Sequence, residues 1–153
     1  NAAWGGISEE NEISICVSED HKTTKNFLAT GAFTVSVATA DTVIAADYVG
    51  IVSGNKVADK IAKCGWTAEK SEFVNAPLFA ELPFALECKV KSYDLDTCRL
   101  VGEIVNVCAD EKILTDGKID LSKFTPITYD PVNHDYIALG EKVGKAFADG
   151  KKI

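Results

Sequence analysis

Ile13-Ser14-Ile15-Cys16-Val17-Ser18-Glu19-Asp20-His21-Lys22-Thr23-Thr24-Lys25-Asn26 is the stretch around which the rest of the chain is organised. Ile13, Ile15 and Val17 alternate with other residues as a half-buried strand does, and Ser18 to His21 form a polar turn. Thr23 to Thr30 reads as one or two helical turns, with Phe27 and Leu28 inward and Gly31 as the C-terminal cap. A strand that turns directly into a helix presents the helix N-terminus, where backbone N–H groups lack intrahelical partners and the macrodipole is positive. That arrangement suits an anion, and Lys22 with the hydroxyls of Thr23 and Thr24 would add a point charge and two donors. The competing reading is that Asp20 or Thr23 caps the helix and Lys22 is merely solvated. Glu19 and Asp20 oppose an anion unless they turn away.

Working outward, Phe33, Val35 and Val37 alternate with Thr34, Ser36 and Ala38, the period of a half-buried strand. Phe84 to Leu95 and Arg99 to Val107 are two long alternating runs joined by Asp96-Thr97-Cys98, which predicts a β-hairpin. In it Leu86, Cys88 and Val90 face Val101, Glu103 and Val105, or their one-residue alternatives. Asp41 or Thr42 opens a helix running through Tyr48, and the loop GIVSGN (50–55) leads to a second short helix carrying Val57, Ile61 and Cys64. Ser71 to Pro83 is irregular, Asp110 to Lys123 is an acidic excursion, and ITYDP and DYIALG are short extended segments. Leu139, Val143, Ala146 and Phe147 fall at i, i+4, i+7 and i+8, which predicts a C-terminal amphipathic helix with Lys142 and Lys145 outward. Many short strands with a few short helices and no regular βαβ alternation predict a mainly β barrel rather than a Rossmann sheet. The dinucleotide fingerprint G-x-G-x-x-G is absent, and GIVSGNK lacks the spacing of a phosphate-binding P-loop.

A chain of 153 residues is one domain's worth, and 46% hydrophobic with 25% charged residues is ordinary for a globular protein. The net charge of −7 and the presence of one arginine, Arg99, argue against nucleic-acid binding, which needs clustered cations to displace counterions. No apolar run is long enough to span a bilayer, so no membrane partner is expected and the cytoplasm is the default location. Five cysteines, none closer than ten residues to the next, give no metal spacing and no disulfide framework. Cys16, Cys88 and Cys108 sit in apolar alternations and are expected in the core, whereas Cys64 is expected near a helix end. Two histidines leave little for acid–base catalysis: His21 either pairs with an anion or is a solvated loop residue, and His134 is expected to touch nothing in particular.

One ordered set of segments goes further. NAAWGG, HKTTKNF, ADYVGIVSGNKVADK, APLFAELPFALECKV, VGEIVNV, ITYDP and YIALGEKVGKAF together resemble the flavin reductase-like, flavoredoxin-type proteins of the FMN-binding split-barrel superfamily, over nearly the whole chain. The resemblance implies one domain over residues 1–153, a split β-barrel with FMN as cofactor, and a further strand and turn upstream of Asn1. It implies that Asn1, Ala2, Ala3 and Trp4 lie along the isoalloxazine ring and donate backbone hydrogen bonds to its pyrimidine edge. It also implies that Ser18, His21, Lys22, Thr23 and Thr24 gather the ribityl chain and phosphate. No catalytic side chain is expected, because the flavin itself accepts hydride and releases electrons. The implied activity is an FMN oxidoreductase, an NAD(P)H-dependent flavin reductase working as a homodimer. The alternatives are a flavoredoxin-like electron carrier serving a redox partner protein, with little nicotinamide activity, or a non-catalytic ligand-binding or dimerisation module.

Overall fold

The structure is a computed structural model that describes residue 2 and residues 4–153; Asn1 and Ala3 lie outside the described residues. The elements run Gly5–Glu9 (β1), Glu12–Cys16 (β2), Lys22–Thr30 (α1), Ala32–Ser36 (β3), Val43–Ile51 (α2), Lys60–Lys63 (α3), Ala68–Lys70 (β4), Pro77–Phe79 (β5), Phe84–Asp94 (β6) and Arg99–Ala109 (β7). Leu114–Thr115 (β8), Lys118–Ile119 (β9), Ile127–Asp130 (β10) and Asp135–Ala138 (β11) complete the set. Five strands form one antiparallel sheet in the order β1-β2-β7-β6-β3, and the remaining six pair as the hairpins β4–β5, β8–β9 and β10–β11. The chain is therefore mainly β with short helices, as its pattern predicts.

The alternation that predicts β2 also decides which of its faces is covered. Ile13 and Ile15 are buried opposite Gly102 and Leu100 of β7, and Leu100 is completely buried. They join Phe27, Phe33, Leu86 and Cys88 in one cluster that α1 closes from above through Phe27. Leu28, also expected inward, is exposed, because a single helix face meets the sheet and residue 28 lies about 100° round from residue 27.

In the β6–β7 hairpin Val90 faces Gly102 and Cys88 faces Ile104, the one-residue alternative, whereas Leu86 faces Val107, two residues from the expected Val105. Register shifts between Glu87 and Cys88 and between Val90 and Ser92 separate the pairs. Such bulges bend and twist the strand, which curves the sheet around its core. At Gly102 the strand passes so close to Phe33 that a Cβ would lie 2.3 Å from the ring Cζ.

One carboxylate is held inside. Glu87 is 2% exposed, with one oxygen accepting from Asn106 Nδ2 at 2.7 Å and the other from the Ser71 hydroxyl. Ser71 Oγ in turn accepts from the Phe73 and Val74 N–H groups, so this network fastens the irregular 71–76 segment to β6. Every buried side-chain polar atom among the described residues has a partner.

Two expectations are corrected. Of the three cysteines placed in the core, only Cys88 is buried; Cys16 is exposed one strand position out of phase with buried Ile13 and Ile15, and Cys108, opposite Ala85 near the end of β7, is exposed too. The C-terminal amphipathic helix is not formed: the segment beyond β11 is irregular until a short 3₁₀ turn at Asp149–Lys152, and Val143 and Phe147 project fully into solvent. An amphipathic helix of this length draws its stability from the surface it covers, and within one copy its apolar stripe covers none.

Gly102→Ala is expected to lower the free energy of unfolding by about 1–3 kcal/mol, since the added methyl drives into Phe33, and denaturant melts of both proteins measure it. Burial pushes the Cys88 thiol up to about 12. A disulfide-exchange reagent at neutral pH is therefore expected to modify Cys16 and Cys108 in the native protein and Cys88 only after denaturant is added.

Candidate functional site

The turn between β2 and α1 is fixed from several sides. As the chain leaves β2, the Cys16 N–H donates to the Trp4 carbonyl at 2.9 Å and the Val17 N–H to the Cys98 carbonyl at 2.9 Å. The Tyr93 hydroxyl donates to the Val17 carbonyl at 2.7 Å. The Ser18 carbonyl then receives both the His21 N–H at 3.2 Å and the hydroxyl of buried Thr24 at 2.7 Å. Thr24 thus spends its hydroxyl inward, shaping the turn, and is itself only 1% exposed.

Neither Asp20 nor Thr23 caps the helix. His21 occupies the N-cap position with extended backbone, φ −69° and ψ 145°, and no side chain caps the turn. The first bond of the helix runs from the Lys25 N–H to the His21 carbonyl, so the N–H groups of Lys22, Thr23 and Thr24 have no intrahelical acceptor. No acidic residue lies in the first turn of α1. Ser18, His21, Lys22 and Thr23 are exposed beside these donors, and the Asp20 carboxylate sits 3.9 Å from His21 Nε2, outside the turn. A mostly exposed pair of that kind is worth little on its own.

The loop after α2 braces this turn from the other side. Asn55 Nδ2 donates to the Asp20 carbonyl at 2.8 Å. Gly54 lies flat against the stem of Lys22: a Cβ there would come within 3.2 Å of Lys22 Cβ. The loop is itself held by Ser53, whose hydroxyl accepts from the Asn55 N–H and whose carbonyl accepts from the Lys56 and Val57 N–H groups. Lys60 bends back across it, donating Nζ to the carbonyls of Val49 at 2.7 Å and Val52 at 2.9 Å. It caps the C-terminal end of α2, where a cation is favoured by the macrodipole, while partial burial lowers its pKa. The sequence pattern of GIVSGN predicts a loop before a short helix and no more. Asn55 and Lys60 escape it because their partners, Asp20 and the end of α2, are distant in sequence or backbone atoms without any side-chain signature.

Trp4 is the third part. Its carbonyl holds the end of β2, and its largely exposed indole meets Tyr129 edge-on, with centroids 6.3 Å apart. Tyr129 also packs on His134 and Tyr136, so His134, at the tip of the β10–β11 hairpin with φ 61°, belongs to an aromatic cluster. The Tyr136 hydroxyl donates to Asp47 Oδ1 at 2.8 Å, tying that hairpin to α2. Through the Cys16 N–H the end of β2 ties Trp4 to the strand that leads into the turn of Ser18, His21, Lys22, Thr23 and Thr24, while Ala2 is exposed; Asn1 and Ala3 lie outside the described residues.

A distinct cleft lies elsewhere. A cleft of about 190 Å³ is lined by Leu78, Phe79, Pro83, Ala85 and Cys108, at the end of the β6–β7 hairpin opposite Tyr93 and Cys98, and none of the candidate residues reaches it. The N–H donors at the start of α1 suit an anion, so the surface there is the stronger candidate. No group of three or more His, Cys, Asp or Glu among the described residues is gathered to hold a metal.

Comparison with known proteins is consistent with this geometry. The model of the flavin reductase like domain matches residues 9–132, and the chain belongs to that family. Among solved structures, flavoredoxin of Desulfovibrio vulgaris (Miyazaki F) superposes with a TM-score of 0.92 at 38% identity, over 97% of this chain and 82% of that one. Flavoredoxin from Methanosarcina acetivorans gives 0.89 at 28% identity, over 99% and 82%. An FMN-binding domain of a flavin reductases-like enzyme from Shewanella baltica OS155 gives 0.84 at 20% identity, over 94% and 80%, a likeness of fold. The sheet and its hairpins are thus a split barrel. No curated protein matches the chain. No helix among the described residues is long and apolar enough to cross a membrane.

Removing the brace tests its role. Lys60→Ala strips the Val49 and Val52 carbonyls of their donor and is expected to cost about 1 kcal/mol of stability. Amide exchange over residues 49–57 is expected to accelerate while that of β6 and β7 stays unchanged.

Proposed function

We propose that the chain is a single flavin reductase-like domain that binds FMN, takes hydride from NADH or NADPH, and passes the electrons to flavin or another acceptor. The observation that carries this reading is the uncapped first turn of α1, which leaves three N–H donors beside the exposed side chains of Lys22 and Thr23. Helix starts without a side-chain cap leave their donors to water or to an anion, and the phosphate of FMN is an anion of the right kind. Family membership supports the flavin as the molecule that carries it.

In this proposal Lys22 supplies the point charge, Thr23 its hydroxyl and N–H, and Thr24 its N–H alone, while Ser18 and His21 line the approach of the ribityl chain. Asn1, Ala2, Ala3 and Trp4 lie along the ring and give its pyrimidine edge backbone hydrogen bonds; Ala2 and Trp4 are exposed, as such contact requires. Bound FMN would supply the hydride acceptance and the release of electrons. The protein's residues bind the phosphate, orient the ring and set access to it. The working form is a homodimer, and with a net charge of −7 nucleic acid is no partner.

A second reading, an electron carrier with little nicotinamide activity, is favoured by one observation: at 38% identity the chain is more similar to the D. vulgaris flavoredoxin than to the Shewanella baltica enzyme, at 20%. Steady oxidation of NADH or NADPH with free flavin or ferric acceptors separates the two. Turnover supports the reductase, whereas an FMN-loaded protein inert to both nicotinamides is the carrier.

The visible absorption spectrum, with identification of the flavin released on denaturation, tests the proposal first. Released FMN is expected, and a colourless protein that also fails to take up added FMN overturns it. Lys22→Ala and Thr23→Ala are each expected to weaken FMN binding by roughly 1.5–3 kcal/mol, the worth of a charge-assisted bond, read by flavin fluorescence quenching.

A further inference from the structure

Two apolar surfaces of this chain are unpartnered, and each has the form the other needs. The first is the segment after β11. The Leu139 N–H bonds to the Pro126 carbonyl at 2.9 Å, and beyond it every hydrogen bond and ion pair recorded for the described residues lies within the segment itself, chiefly around Asp149. Val143, Phe147 and Ile153 are 103%, 97% and 113% exposed, the highest of the exposed large hydrophobic residues among those described. Yet Leu139, Val143, Ala146 and Phe147 have the spacing of one helix face. In the single copy that helix is absent and Phe147 adopts φ 61°, a left-handed conformation that interrupts it.

The second surface is α2. Its sequence, VIAADYVGI, carries one charge and is apolar around most of its circumference, the composition of a buried helix. Nevertheless Ile44 and Ile51 are 85% and 74% exposed. They stand two turns apart on one face, with exposed Asp41 at its start.

Charge distinguishes which surface meets which. The last fifteen residues hold Lys142, Lys145, Lys151 and Lys152 against Glu141 and Asp149, a net of +2, so the remaining 138 residues carry −9. A basic arm with an apolar stripe is attracted to an acidic body bearing an apolar ridge, and to another basic arm it is not.

We propose that the arm of one copy, residues 139–153, folds as an amphipathic helix across α2 of a second copy, seating Val143 and Phe147 on Ile44 and Ile51 with Lys142 and Lys145 toward Asp41. The exchange is reciprocal, so the twofold dimer contains the contact twice. The arm is irregular in one copy and ordered in two, because the surface that stabilises its helix belongs to the partner. This deepens the homodimer reading above and rests on it.

The test is the mass of the full-length protein by light scattering across a concentration series. The unaltered protein is expected to be dimeric. Val143→Asp/Phe147→Asp and, separately, Ile44→Asp/Ile51→Asp are each expected to raise the dissociation constant by about a hundredfold or more, the loss of two buried apolar side chains at each contact. All four residues are exposed in the single copy, so neither variant has a packing reason to unfold, and unchanged thermal melts of dilute samples check this. Mixing the two variants is the decisive step: a mixed dimer retains one intact arm on one intact α2, so dimer mass is expected to return in the mixture, which a merely misfolded pair would not show. If both variants stay dimeric, or if mixing restores nothing, the arm exchange is wrong and the homodimer reading survives on another surface. If the unaltered protein is monomeric at every concentration, both fail.

Discussion

The position of Phe27 is the constraint on which the rest of the site depends. This ring, 1% exposed, meets Tyr93 edge-on at 5.2 Å and Phe33 at 6.4 Å, and it is the anchor that α1 sets into the sheet. Fully burying such a side chain is worth about 1.5–3 kcal/mol. Its consequence reaches further than that figure, because Tyr93 on the sheet side uses its hydroxyl to hold the Val17 carbonyl at the start of the turn. The same packing that fixes the helix therefore fixes the chain entering it. Gly102 completes the arrangement by leaving room for Phe33 against the sheet.

With both ends held, the turn has little freedom left. Ser18 presents one carbonyl to two donors, Asn55 holds the Asp20 carbonyl from the other side, and the orphan N–H groups of the first helical turn are left facing outward chemistry rather than a cap. A protein carrying −7 overall can still favour an anion here, since exposed charges farther than a Debye length of about 8 Å are largely screened at physiological ionic strength. What acts at short range is Lys22 and the helix terminus, with no carboxylate in the first turn and Asp20 beside His21 acting against them. Preorganisation of this kind lowers the ordering cost of binding.

The core and the site place different demands on the surface. Burying Glu87 with two side-chain partners, where an apolar residue would fill the same space, commits the 71–76 segment to one conformation. The opposite holds at α2 and the C-terminal arm, where apolar residues face water without a partner in the single copy. A fold that satisfies every buried side-chain polar atom among the described residues yet leaves Ile44 and Ile51 of its most apolar helix exposed is incomplete in its hydrophobic contacts.

Strands β2, β3, β10 and β11, the hairpin of residues 84–109, the helix after the turn and its glycine cap were legible in the sequence because each is a local pattern, read from alternation, spacing or a left-handed Gly31, whereas β5 and the β8–β9 hairpin lie in segments read as irregular or as an acidic excursion. The turn between β2 and α1 was legible for the same reason: strand, polar turn and helix start are contiguous. Everything set by a partner far along the chain was not. The hairpin register depended on bulges, the exposure of Cys16 and Cys108 on which strand face the core chose, and the inward turn of the Thr24 hydroxyl on the Ser18 carbonyl. Asn55 and Lys60 became part of the site only when α2 and its loop packed beside α1. The arm carried the clearest helical spacing near the C-terminus and formed no helix, since periodicity records which face a segment would bury and only tertiary contact supplies something to bury it against.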